Sequence, residues 1–102
     1  MSETTPMDVL LHIATPGAAR IAAPLARALT AKGARWGCFL TNDGVRTLGD
    51  PGFAAAIKAA GRVAVCEHSW QQHMAGQVCP AEQASQTVNS ALMAEAGRVV
   101  SL

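Results

Sequence analysis

"RVAVCEHSWQQH" occupies Arg62–His73 and joins two kinds of sequence. Val63, Ala64 and Val65 make a short apolar run that ends on Cys66, and polar, histidine-bearing sequence follows at once. An apolar run of this length reads as a strand buried on both faces. The segment after it, "SWQQHM" (Ser69–Met74), reads as a short helix or a loop. A strand passing directly into such a segment sets Cys66 at its carboxyl end, where open parallel sheets bind ligands. Whether that reading holds depends on the same order recurring along the chain.

It recurs on both sides. "DVLLHIAT" (Asp8–Thr15) is strand-length and apolar, and Pro16-Gly17 closes it. In "AARIAAPLARALTAKG", Ile21, Leu25 and Leu29 recur at helical spacing and Gly33 supplies the stop. Pro24 sits inside this pattern, so the helix is expected to start late or to bend there. "RWGCFLT" (Arg35–Thr41) is the second strand; Asn42-Asp43-Gly44 is turn chemistry, with Asp43 as a candidate cap for a short helical turn to Leu48. "DPGFAAAIKAAG" (Asp50–Gly61) carries the marks of a capped helix: Asp50 as N-cap, Pro51 in the first position, Gly61 as the stop. Pro80–Gly97 reads as one further helix, and "RVVSL" (Arg98–Leu102) as the last strand. Strands alternating with helices imply an α/β fold, a three-layer α/β/α sandwich with a mostly parallel sheet of four to five strands. Residues 1–7 are expected to be a short disordered tail and residues 8–102 a single domain.

Composition agrees with one small core. The chain has 102 residues, half of them hydrophobic and 15% charged, which suits a globular domain and leaves no room for two. Aromatics are scarce, so the core must come from Ala, Val, Leu and Ile, and association with other subunits would add to a modest burial. The formal net charge is +1, and the basic residues form no run. No nucleic-acid stripe and no polybasic membrane patch is expected. No apolar stretch of about 18 residues suggests a membrane span. The first residues lack the pattern of a signal peptide, so the expected location is the cytoplasm. Three cysteines, Cys38, Cys66 and Cys79, are an odd number, which points to reduced thiols rather than a disulfide framework.

Chemistry is sought at the strand ends. No GxGxxG and no GxxxxGK[ST] is present, so no nucleotide cofactor is expected. Cys66 is the principal candidate: a helical turn near Ser69 would aim amide groups at the thiol, and those favour the nucleophilic thiolate. His68 would add positive charge when protonated. Cys79, before Pro80, is the candidate second thiol. Cys38 lies mid-strand and reads as a small buried hydrophobe. Cys66, His68, His73 and Cys79 are of types that suit zinc, but their spacing fits no common zinc motif, and no metal is assigned. His12 reads as a core or interface histidine. No Ser-His-Asp arrangement or carboxylate pair supports a conventional hydrolase.

With these residues in place, the chain resembles the DsrE/DsrF-like family, which includes the TusD-type sulfur-relay subunits. The resemblance runs from Asp8 to Leu102 and rests on four features. They are the opening strand with its small-residue helix, "CFLTNDGV" at the second strand, "VAVC" ending the third, and "GRVVSL" closing the chain. It implies a three-layer sandwich, assembly into trimers or hexamers, and a cysteine after the third strand that carries sulfane sulfur as a persulfide. Cys66 matches that cysteine. The family's aspartate-glycine turn matches Asp43-Gly44, and Asn42 and Ser69 join them as candidate binding residues. Implied partners are sulfur donor and acceptor proteins, such as TusA-like or rhodanese-like carriers. TusD-type members follow the cysteine with an alanine-rich helix and an arginine pair; here "EHSWQQHMAGQ" stands instead. The length approaches that of the TusB/DsrH-type subunits, many of which use no persulfide. The alternative expectation is therefore a non-catalytic subunit or a small-ligand-binding module.

Overall fold

The computed structural model describes residues 7–102. Five strands form one sheet: β1 (Met7–Ile13), β2 (Trp36–Leu40), β3 (Arg62–Cys66), β4 (Glu82–Ala84) and β5 (Ala96–Ser101). Their order is β4-β3-β2-β1-β5, and every neighbouring pair is parallel. Four helices accompany them: α1 (Ala19–Ala31), α2 (Pro51–Ala56), α3 (Glu67–His73) and α4 (Gln86–Glu95). A 3-10 segment, Asn42–Gly49, follows β2. This is an α/β sandwich with an all-parallel sheet. Among the described residues no helix is long and apolar enough to cross a membrane.

Strand side chains alternate between the two faces, and the core divides accordingly. Leu11, Ile13, Cys38, Leu40 and Val65 pack with Ala22, Ala23 and Ala26 of α1, Phe53 of α2, Val45 and Leu48 of the 3-10 segment and Trp70 of α3. Leu10, Phe39, Ala64 and Cys66 pack on the other face with Met7, Ala84 and Leu92 of α4. One face thus carries most of the helical cover and the other carries α4.

Local chemistry explains the boundaries. Asp50 caps α2, its carboxylate accepting from the Phe53 amide at 2.8 Å, with Pro51 in the first position. Gly33 ends α1 at φ 73°; its amide bonds the Thr30 carbonyl at 3.0 Å and the Ala34 amide bonds the Leu29 carbonyl at 3.0 Å. That double closure needs a left-handed residue, which glycine supplies without strain. The Trp36 indole then donates to the Thr30 hydroxyl at 2.9 Å and ties α1 to β2.

Several boundaries differ from the sequence expectation. Met7 opens β1 and is buried, so it belongs to the domain; the rest of the expected tail lies outside the described residues. α1 starts at Ala19, which excludes the late start near Pro24; the proline sits exposed within the helix. The expected helix over Pro80–Gly97 shrinks to Gln86–Glu95. Glu82–Ala84 instead pairs with Ala64–Cys66 as β4, and Gly97 belongs to β5. A tertiary partner outweighs local helix preference here: the Arg62 guanidinium grips the Glu82 carboxylate through two bonds of 2.8 and 3.1 Å. Asp43 is not a cap. The N-cap of the 3-10 segment is Thr41, which makes no side-chain capping bond.

Candidate functional site around Cys66

β3 delivers Cys66 to the carboxyl edge of the sheet, where it is the N-cap of α3, still in extended backbone at φ −60°, ψ 117°. The helix begins at Glu67, two residues before the expected start, so the sequence turns directly from strand to helix. Cys66 is 5% exposed. Its side chain lies on the α4 face of the sheet.

Three neighbouring segments converge there. Ser69, buried on α3, accepts at Oγ from the Asn42 amide at 2.8 Å. Thr41 Oγ1 stands 3.4 Å from Ser69 Oγ. Gln86, the first residue of α4, donates from Nε2 to Thr41 Oγ1 at 3.1 Å and accepts at Oε1 from Asn89 Nδ2 at 3.2 Å. A hydroxyl has one hydrogen to give. With the Thr41 hydroxyl donating to Ser69 Oγ, beside the bond from the Asn42 amide, the Ser69 hydrogen faces the sulfur. Asn42 reaches Ser69 from a left-handed backbone, φ 52°, which asparagine tolerates better than most residues. Gly44 lets the turn press against β1, since a Cβ there would overlap the Ile13 carbonyl.

Burial alone would push the Cys66 thiol up. Hydrogen bonds to the sulfur from the Ser69 side chain and amide, the Gln86 side chain and the His68 amide outweigh it, and the thiol is lowered from its ordinary value. Hydrogen bonding to the charged form is the cause. Cys38 shows the opposite: wholly enclosed, its thiol is pushed up to about 12 by burial.

The expected site residues divide. Cys66, Ser69 and Asn42 come together. His68 contributes its backbone amide, while its imidazole is exposed. Asp43 turns to another task, its carboxylate meeting His73 Nδ1 at 2.9 Å and Arg46 Nε at 3.8 Å, which fastens the 3-10 segment to the end of α3. Cys79 is not brought to Cys66. It packs against the core cluster of the opposite face, and all three cysteines are free thiols. Among the described residues no three His, Cys, Asp or Glu side chains are grouped to hold a metal ion, so Cys66, His68, His73 and Cys79 form no such set. His12 stacks on Phe39, ring centroids 6.4 Å apart, and burial lowers its imidazole.

Sequence reasoning missed Thr41, Gln86 and Asn89. In the sequence Thr41 reads as the end of a strand. Gln86 and Asn89 lie within the over-long helix expected over Pro80–Gly97; a start after Ser85 puts Gln86 in the first turn, beside the sheet edge. No family model, curated protein or solved structure matches the chain.

Proposed function

We propose that the chain is a sulfur carrier in which Cys66 holds sulfane sulfur as a persulfide and passes it to a partner protein. The observation that carries this reading is a cysteine at the carboxyl edge of a parallel sheet whose lowered thiol is met by donors from α3 and α4. A thiolate is the attacking species in sulfur exchange, and its fraction at neutral pH rises as its pKa falls.

The exchange balances without an external redox agent. The Cys66 thiolate attacks the outer sulfur of a donor persulfide, R–S–SH. The new Cys66 S–S bond forms as the donor S–S bond breaks, and the donor leaves as its thiolate and takes a proton. In the second step an acceptor thiolate attacks the outer sulfur now on Cys66, and the Cys66 thiolate is the leaving group. The donors from Ser69, Gln86 and the two amides suit both steps, since each begins or ends with negative charge on sulfur. Glu67 is exposed, and its charge is not among the causes of the thiol's shift.

The proposed partners are donor and acceptor proteins of the TusA-like or rhodanese-like kind, by the resemblance stated above. A reducing compartment, the cytoplasm, fits three free thiols. Assembly with further subunits fits the exposed apolar side chains Ile21, Val78 and Val99.

A second reading, a non-catalytic subunit, is favoured by one observation: Cys66 packs in the apolar cluster of Leu10, Phe39, Ala64 and Leu92, as an inert cysteine would. Intact mass after incubation with polysulfide separates the two. The carrier reading expects added sulfur masses in wild type and in Cys79→Ser, and none in Cys66→Ser. A wild type that gains no sulfur overturns it and leaves the non-catalytic subunit.

A further inference from the structure

We propose that the open edge of β5 is a self-association surface, on which β5 of a second copy of the chain pairs antiparallel about Val99 and joins the two sheets into one.

The two edges of the sheet are finished differently. β4 is three residues long, follows Pro80 closely and has its Glu82 carboxylate held by Arg62. Short length, charge and proline are common means of keeping an edge strand from pairing. β5 has six residues, no proline and no acidic group, and its one charged residue is Arg98. Gly97, Arg98, Val99 and Ser101 are exposed, Val99 at 40%. β1 pairs with one side of β5, and among the described residues no strand pairs with the other.

The bonds to β1 decide which groups face outward. Leu102 turns both of its backbone groups to β1: its amide donates to the His12 carbonyl at 2.8 Å, and its carbonyl accepts from the Ala14 amide at 2.8 Å. Successive residues of a strand turn these groups to opposite sides. Arg98 and Val100 therefore face β1 as Leu102 does, and Gly97, Val99 and Ser101 present amide and carbonyl to the open side. Their side chains share the α4 face, where Val99 stands beside Leu10.

These outward groups call for a strand, and β5 is its own complement. With a two-fold axis through Val99, Val99 meets Val99 of the second copy, and Gly97 meets Ser101. Each such pair exchanges two backbone bonds, so every outward group of the strand is used. A β-branched pair then lies on the axis with small residues on either side, and Arg98 stands opposite Val100 of the second copy. The neighbouring registers are poorer. An axis on Arg98 sets two guanidinium-bearing residues against each other, and like charges directly opposite are destabilising. An axis on Val100 leaves Gly97 with no residue of β5 opposite it.

The strands of the second copy run the other way. The two Cys66 sites thus lie at opposite ends of the joined sheet, and the contact is independent of what Cys66 does.

The test is sedimentation velocity of the chain over a wide range of concentrations, with amide hydrogen exchange on the same samples. A single strand pair is smaller than a standard interface of about 1,600 Å². Wild type is therefore expected to pass reversibly from monomer to dimer as concentration rises. The amides of Gly97, Val99 and Ser101 are expected to gain protection over that range, while those of Arg98 and Val100 are protected throughout. Val99→Lys sets two ammonium groups on the axis. Val99→Pro removes an outward amide that β1 does not use, a place where an edge strand tolerates proline. Each is expected to weaken dimerisation about tenfold or more with the fold retained by circular dichroism. Val78→Lys makes the same charge change at a 93% exposed site in the loop leading to β4, the opposite edge, and is expected to match wild type. A wild type that stays monomeric overturns the proposal. So does a dimer that persists in both Val99 variants, or an assembly in which the three outward amides exchange as in the monomer. Sulfur uptake by a monomeric wild type would overturn the dimer and leave the carrier reading standing; a dimer that takes up no sulfur would do the reverse.

Discussion

Cys38 and Cys66 stand on adjacent strands and opposite faces of the same sheet, and their surroundings drive their thiols apart. Around Cys38 there is only apolar packing, and its thiol is pushed up from 9.0 to about 12. Above pH 9 the unfolded chain would ionise this thiol while the folded chain keeps its proton. The folded state then binds more protons, so stability falls as pH rises from about 9 to 12, by roughly 1.4 kcal/mol per unit. Urea unfolding at several alkaline pH values is expected to show that slope in wild type and a shallower one in Cys38→Ala. Cys66 works in the other direction: with its thiol lowered, its contribution is present above the ordinary thiol range and is lost as pH falls through the folded value. The contrast was legible in part. An apolar alternation ending on Cys66 announces a strand end, and Cys38 between Gly37 and Phe39 announces a strand interior. The donors that distinguish the two thiols come from Ser69, His68 and Gln86, and Thr41 links Ser69 to Gln86 across segments that lie far apart in the chain. No local pattern records such a meeting.

At the scale of elements, the segments that were read correctly carry their own punctuation. Asp50-Pro51 opens α2 and Gly33 closes α1 through bonds made within a few residues. Asp50→Ala is therefore expected to cost about 1 kcal/mol, the usual value of an N-cap, as a lowered denaturation midpoint with an unchanged slope. The element that was missed, β4, has no punctuation of this kind. Glu82-Gln83-Ala84 is short and polar, and it is a strand because β3 offers it an edge and Arg62 a partner for Glu82. The consequence reaches the site: with β4 in place the chain turns at Ser85, and α4 begins with Gln86 beside Thr41 instead of in mid-helix.

Across the whole molecule the two faces of the sheet are unequally dressed. α1, α2, α3 and the 3-10 segment share one face, whereas Leu10, Phe39 and Ala64 meet Leu92 of α4 on the other. Leu92 is 1% exposed, and Val88 and Met93 of the same helix pack beside it on this cluster. Leu92→Ala is expected to cost about 2–5 kcal/mol. Leu29→Ala, on the better-covered face and only partly buried, is expected to cost less in the same urea titration. The strand order has a different implication, one of timing. β1 lies between β2 and β5, and Met7 pairs with Ala96 about ninety residues later in the chain, one of the longest closures the fold contains. While the polypeptide is being synthesised, β1 can find β2 early but must wait for β5. Until then one edge of the first strand is a row of unpaired amides and carbonyls beside apolar side chains, open to pairing with another nascent chain.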